Sequence, residues 1–301
     1  MKRSDMMQLV LVAAIWGASY LFIRVAAPAF GPWAMAGLRA VLASLMLLPL
    51  VLWRGLLPDL RRYWKGVALV GVTNAALPFL LFNYAALHIS AGLSSILSST
   101  TPLFAALIAA LWLGESLGRQ RIVGLAIGFG GVFMLVAGKL HMQSDAFATL
   151  MAALACLCAT LLYGFTGNFT KRYLSGAQPM TIAAGSQFFA AVLLAPGTVI
   201  GWPSDAPSWQ GWGALLALAA LCTTFAYVLF YGLITRLGAS RAMSALFLIP
   251  AFGVLWGTLF LHEEFTLRMG VSCVVILCGC ALTTGVVSLP QFVRRPMQKP
   301  L

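Results

Sequence analysis

Long apolar runs, each closed by a short polar or Gly/Pro-containing break, dominate the pattern of this chain. A helix crossing about 30 Å of hydrocarbon needs about 20 mostly apolar residues. On that ruler the chain divides into ten segments: 8–26, 33–54, 65–87, 93–113, 120–138, 147–169, 179–201, 209–231, 241–261 and 268–289. The links carry helix-breaking residues, among them Gly31-Pro32, Gly55 to Asp59, Ser175-Gly176 and Trp202 to Pro207. Lys2 and Arg3 before the first run, with Ala27-Pro28-Ala29 after it, imitate a cleaved signal peptide. The run exceeds a typical signal core and carries Trp16, Tyr20 and Arg24, so it reads as a retained helix.

The pattern also repeats. Under a shift of 148, Leu81-Phe82 falls on Leu229-Phe230, Ala91 on Ala239, Pro102 on Pro250, Phe104 on Phe252, Glu115 on Glu263 and Gly131 on Gly279. Earlier in the halves the shift is 147, with Gly17 on Gly164, Phe22 on Phe169, Pro32 on Pro179 and Pro49 on Pro196. Each half holds five spans, an odd number, so the second half lies upside down relative to the first. Inverted repeats of this kind are a transporter architecture, because exchanging two half conformations gives inward-open and outward-open states about one central site. The expected fold is an all-α polytopic membrane protein with ten transmembrane helices in two inverted-topology five-helix repeats, 1–140 and 141–290, followed by a cytoplasmic tail, 291–301.

Composition agrees with the spans. Of 301 residues, 61% are hydrophobic and only 9% charged, against about 25% charged in a soluble domain. Mean hydropathy is +0.94. Nineteen Lys and Arg against seven Asp and Glu give a net charge of +12, which in a soluble chain would point to nucleic acid. Basic residues accumulate in cytoplasmic loops. With the N-terminus inside, Lys2, Arg3, Arg54, Arg61, Arg62, Lys65, Arg119, Arg121, Lys171, Arg172, Arg236, Arg241, Arg294, Arg295 and Lys299 all face the cytoplasm. Arg24, Lys139 and Arg268 fall outside and Arg39 lies within span two. The charge is thus an orientation signal, with both termini cytoplasmic, and no nucleic-acid partner is expected. The six cysteines sit inside apolar runs without His or acid partners, so they read as small packing residues, with no metal and no cofactor expected.

Trp16-Gly17-Ala18-Ser19, Arg39, Pro102, Leu113-Gly114-Glu115, Gly124 and Gly131-Val132 resemble, in this order, the signature of the drug/metabolite transporter superfamily and its EamA-type ten-helix members. The second half repeats it as Pro250, Leu261-His262-Glu263 and Gly279, and departs at Ser272, where Gly is expected, and at Ser186, where an arginine equivalent is missing. Within the superfamily the chain is most similar to the YddG-type aromatic amino-acid exporters. The resemblance implies an exporter of small metabolites, most often amino acids, in a bacterial-type inner membrane. It also implies a substrate cavity between the first four helices of each half, with the fifth of each packing peripherally.

Polar residues inside a membrane are costly and read as site candidates. Candidate substrate-binding residues are Trp16, Tyr20, Asn74, Phe79, Tyr84, Ser95, Ser99, Tyr163, Asn168 and Tyr227. Aromatic rings with polar tips suit an apolar substrate side chain carrying polar groups. The Ser95, Ser98/Ser99, Pro102 face lines a cavity, or consists of serines bonded to their own helix carbonyls and small residues allowing close approach. Pro102 and Pro250 are candidate hinges, and Glu115 and Glu263, ending spans four and nine on opposite sides, candidate gate contacts. Arg39, about 6 residues or roughly 9 Å inside span two, pairs with a substrate carboxylate or serves the structure by snorkelling or bonding carbonyls. His88 is the one loose candidate for protonation. With no Asp or Glu deep in a span, facilitated movement by alternating access is expected rather than proton coupling. Trp33, Trp53, Trp64, Trp202, Trp209 and Trp212 are expected in interfacial belts. Gly124-x-x-x-Gly128 and Gly253-x-x-x-Gly257 offer close-packing surfaces, within a monomer or in a weak homodimer. Against an enzyme stand the missing Walker loop, metal spacing and acid pairs; a passive channel has no need of inverted halves; a cation or drug exporter, proton-coupled or not, wants a deep carboxylate.

Overall fold

The computed structural model describes residues 3–140, 145–238 and 242–287, with Lys139 and Leu140 by backbone only. Expectations for Lys2, Arg241, Arg294, Arg295, Lys299, Ala239, the side chain of Lys139 and the tail 291–301 fall outside these residues. Among the described residues every regular element is helical. The first two spans form one helix, Arg3–Trp53, bent at Gly31 (φ 70°, ψ 165°); its arms, 3–30 and 32–53, are α1 and α2. Then follow α3 (Leu57–His88), α4 (Ala91–Leu113), α5 (Arg119–Leu140), α6 (Ala146–Tyr173), α7 (Pro179–Ile200) and α8 (Trp209–Leu237). A 3₁₀ turn, Met243–Phe247, leads into the helix Ile249–Leu261, and together they make α9; α10 is Leu267–Thr284.

Among the described residues ten apolar helices thus fall in the ten predicted segments, and the differences have local causes. Helix α3 begins eight residues before its predicted start at 65, because Pro58 occupies the first turn, where its missing N–H costs nothing. The link predicted at Gly31-Pro32 is a bend of a single residue, since glycine tolerates a torsion pair nearly closed to other residues. Helix α10 stops at Gly285 (φ 76°), short of the predicted 289. At 13 residues, Ile249–Leu261 spans only about 20 Å, and the 3₁₀ turn before it supplies the missing length.

The repeat recurs in three dimensions. Both third helices of the halves, α3 and α8, widen into π-helical turns that begin at Gly71 and Leu218, 147 residues apart. Both fourth helices break just before their proline: α4 after Ser98, α9 at Leu248. Both end on a left-handed residue, Gly114 (φ 69°) and His262 (φ 52°), followed by a backbone bond from Glu115 to Ala109 or Glu263 to Gly257. Gly17 packs on Phe252 and Gly253, and Gly164 on Phe104 and Ala105, so each first helix crosses the other half's fourth helix at matching positions.

Backbone meets backbone at α5 and α10. A Cβ on Gly279 would lie 2.4 Å from the Gly128 nitrogen, and one on Gly124 would lie 2.8 Å from the Gly279 carbonyl oxygen. The first small-residue stripe is therefore occupied within the chain. The second is too: Gly253 lies against Ser95, and Gly257 against Glu263. Outward-facing positions carry large apolar side chains, among them Leu111, Phe133, Leu193, Ile200 and Phe260, all exposed. That is the reverse of a water-soluble surface and the right one for lipid.

Candidate functional site

The π turns of α3 and α8 open the ladder of backbone bonds where α1, α2, α3, α6 and α8 face one another. Aromatic side chains fill the junction. Trp16 on α1 meets Phe230 on α8, ring centroids 4.8 Å apart, and Tyr163 on α6 stacks on Phe82 of α3 at 6.1 Å. The two pairs are mates under the repeat. Tyr20 sets its edge on Phe82 at 5.6 Å, and Tyr231 lies 5.9 Å from Tyr227 and 6.1 Å from Phe230. Tyr20, Tyr163 and Tyr227 are each partly buried.

Polar groups thread this shell. Asn74, in the π turn of α3, donates to the Tyr227 hydroxyl at 3.4 Å, and the hydroxyls of Thr73 and Thr166 are bonded at 2.7 Å. Arg39 on α2 lies beside them, buried. Its guanidinium carbon is 3.7 Å above the Phe79 ring, and its Nε donates to Thr223 Oγ1 at 3.0 Å. Thr223 lies in the π turn of α8 and passes its own hydroxyl proton to the Leu218 carbonyl, five residues back.

Of the sequence candidates, Trp16, Tyr20, Asn74, Phe79, Tyr163, Tyr227 and Arg39 come together here. Others do not. The hydroxyls of Ser95, Ser98, Ser99, Thr100 and Thr101 each turn back to the carbonyl three residues earlier, at 2.6–2.8 Å. Those of Ser98 and Thr101 cover the carbonyls of Ser95 and Ser98, which the break and Pro102 leave without an N–H, and the whole run follows the self-bonding alternative with an i−3 rather than i−4 partner. Cys280 adds its thiol to the Ser99 carbonyl. Ser95 is sealed against Gly253 at the α4–α9 crossing, while Ser98 keeps some accessible surface beside Tyr20. Asn168 is buried and donates to the carbonyls of Ala105 and Gly164, both at 2.9 Å, tying α6 to α4. Tyr84 pairs with His88 at 5.0 Å, and His88 is exposed at the end of α3. Pro250 is buried and Pro102 partly so. Of the tryptophans expected in belts, Trp212 instead packs edge-on against the buried Phe30 at 4.9 Å.

Phe82, Phe230, Tyr231 and Thr223 join the site without having been singled out in the sequence. The pairing of Phe82 with Phe230 under the repeat was the available signal. A hollow of about 470 Å³ between Pro28, Ala29 and the 203–208 loop shares none of these residues, and its one ionisable side chain is Asp205.

The two glutamates that end α4 and α9 are held differently. Glu263 reaches the N-terminus of α4, where its carboxylate accepts from Ala91 N at 2.7 Å and Gly92 N at 3.0 Å. Two free N–H groups and the positive end of the helix dipole suit an anion there. The positions 148 residues beyond Ala91 and Gly92 lie outside the described residues. Glu115 takes side-chain partners, Lys171 at 3.2 Å and Arg121 at 3.4 Å. Lys171 and then Arg121 hold its carboxyl below the usual 4.5. A depressed carboxyl contributes above its ordinary pKa and loses that contribution as pH falls through the lowered value, so this contact is complete at neutral pH. All three side chains are more than a third exposed, and such pairs are worth little.

The sequence pattern of the EamA-like transporter family matches residues 4–137 and again 150–285. The chain is 26% identical to the uncharacterized transporter YoaV of Bacillus subtilis, over 93% of this chain and 96% of that one. It is 24% identical to an uncharacterized transporter of Archaeoglobus fulgidus, over 90% and 95%. To the uncharacterized inner membrane transporter YedA of Escherichia coli it is 28% identical, over 81% and 78%. A solved crystal structure superposes with a TM-score of 0.66 at 17% identity, covering 95% of this chain and 99% of that one, which shows a shared fold.

Proposed function

The chain belongs to the EamA-like transporter family, within the drug/metabolite transporter superfamily, and from that premise we propose that it exports small metabolites, above all amino acids with large apolar or aromatic side chains. The observation that carries this reading is the ring of Trp16, Tyr20, Phe82, Tyr163, Tyr227 and Phe230 at the junction of the two halves. Flat apolar walls with hydroxyls at their rims accept an aromatic side chain and still bond its polar end.

Alternating access about this ring follows from the architecture. The proline breaks of α4 and α9 are the flexible points, and the ends held by Glu263 and Glu115 are the two gates. The abundance of Lys and Arg at the links following α2, α4, α6 and α8 supports an orientation with both termini in the cytoplasm of a bacterial-type cell. Movement is facilitated, down the substrate gradient, and the working unit is a monomer or a weak homodimer organised as repeats 1–140 and 141–290.

Counterflow into proteoliposomes, run over a panel of amino acids and organic cations, tests the proposal. Uptake of labelled phenylalanine that saturates with concentration and is driven by unlabelled amino acid inside is the expected result. Flux linear in concentration for every compound would count against a carrier, and saturation by organic cations alone would count against this substrate class.

A further inference from the structure

Arg39 is a cation without a counter-anion. It is 7% exposed, and its packing partners are the Phe79 face and the Thr223 hydroxyl. All seven acids of the chain are described, and none faces it. Asp5 pairs with Arg236; Asp59 accepts from Gln178 N; Glu115 holds Lys171 and Arg121; Asp145 caps α6; Glu263 caps α4. Asp205 and Glu264 lie in loops. Guanidinium does not deprotonate in proteins, and an unmatched charge inside a membrane is costly.

Its inner shell leaves donors unused. Nε is used, but the two terminal nitrogens have no hydrogen-bond partner among the described residues. The phenols of Tyr163, Tyr227 and Tyr20 all stand within its electrostatic reach. A planar fork of N–H donors beside phenol donors matches a carboxylate in geometry and charge. An ammonium group would find no carboxylate there, and only neutral acceptors.

We propose that Arg39 is the substrate's anchor, and that the compound moved is recognised through a carboxylate next to an aromatic or large apolar group, with the amino group dispensable. The counter-charge missing from the protein is brought by the cargo. This rests on the transporter reading above and narrows it: aromatic monocarboxylates are substrates alongside amino acids, and aromatic amines are not.

Three probes of the same aromatic size separate the terms: phenylalanine, 3-phenylpropionate and phenethylamine, each offered to the full chain in proteoliposomes. The expected result is saturable counterflow of the first two, each competing with the other, and neither transport of nor competition by the amine. Arg39→Gln raises the half-saturation concentration for both carboxylates about tenfold or more, and Arg39→Lys keeps part of the difference. The wild-type panel needs no variant, so misfolding of either substitution leaves the selectivity result standing. Phenethylamine moving as well as phenylalanine, or 3-phenylpropionate failing to compete, would overturn the carboxylate anchor while leaving a transporter. Absence of saturable counterflow for all three would overturn both readings.

Discussion

Tyr227 shows how much a single side chain is asked to do. Its hydroxyl accepts from Asn74, its ring lies against Tyr231, and it belongs to the group around Arg39. Tyr227→Phe removes the bond and keeps the ring, so about 1 kcal/mol is lost. Half-saturation in counterflow should rise roughly fivefold, since 1.4 kcal/mol is tenfold. Tyr227→Ala removes the wall as well and should cost more in half-saturation than in maximal rate; unchanged transport in both variants would remove this residue from the site. The residues legible from sequence were those whose chemistry is out of place in lipid, Trp16, Tyr20, Asn74, Tyr163, Tyr227 and Arg39, together with Phe79, which falls on Tyr227 under the repeat. Phe82 and Phe230 have no polar tip, so nothing in their own chemistry separates a cavity wall from a lipid-facing ring. The serine run was legible as a face, but not the direction of its hydroxyls, because a bare carbonyl at a proline break becomes visible only with the break itself.

Glu263 joins two elements that share no sequence neighbourhood: the loop after α9 and the N-terminus of α4. Glu263→Ala leaves the N–H groups of Ala91 and Gly92 without their acceptor, and bonds to a charged group are worth about 1.5–3 kcal/mol each. The α4 end should then open more often. A cysteine placed at Ser94, which is 3% exposed, should react with an aqueous thiol reagent about tenfold faster in the Glu263→Ala background. Equal rates would mean that the carboxylate holds nothing shut. The α5–α10 pair makes a different demand, for contact without any side chain. Gly279→Ala must push a methyl into the Gly128 backbone, and overpacking of this kind costs about 1–3 kcal/mol. A lowered melting temperature with little change in half-saturation is expected, because these two helices contribute nothing to the aromatic ring. The glycine spacing was readable in the sequence, while the choice of partner depended on the three-dimensional pairing of the two fifth helices.

At the scale of the molecule, apolar runs of bilayer length and a 147–148 residue repeat were enough to predict the helices and their inversion. The π turns at Gly71 and Leu218, and the breaks at Ser99 and Leu248, left no mark in hydropathy, since inserting or deleting a backbone bond leaves composition untouched. The seven acids all lie at helix ends or in loops, so no mid-membrane carboxylate is available to carry a proton. Counterflow of phenylalanine should therefore persist when a protonophore collapses an imposed pH gradient; its loss would turn attention to His88. The bend at Gly31 has a consequence earlier in the protein's life. With no loop between α1 and α2, the first two helices leave the ribosome as one hairpin and must enter the bilayer together. A Cβ at Gly31 would meet nothing within 4 Å, so the requirement is one of torsion alone, about 1–3 kcal/mol for any other residue. Gly31→Val should accordingly lower the amount of protein inserted during synthesis, while the molecules that do insert transport normally.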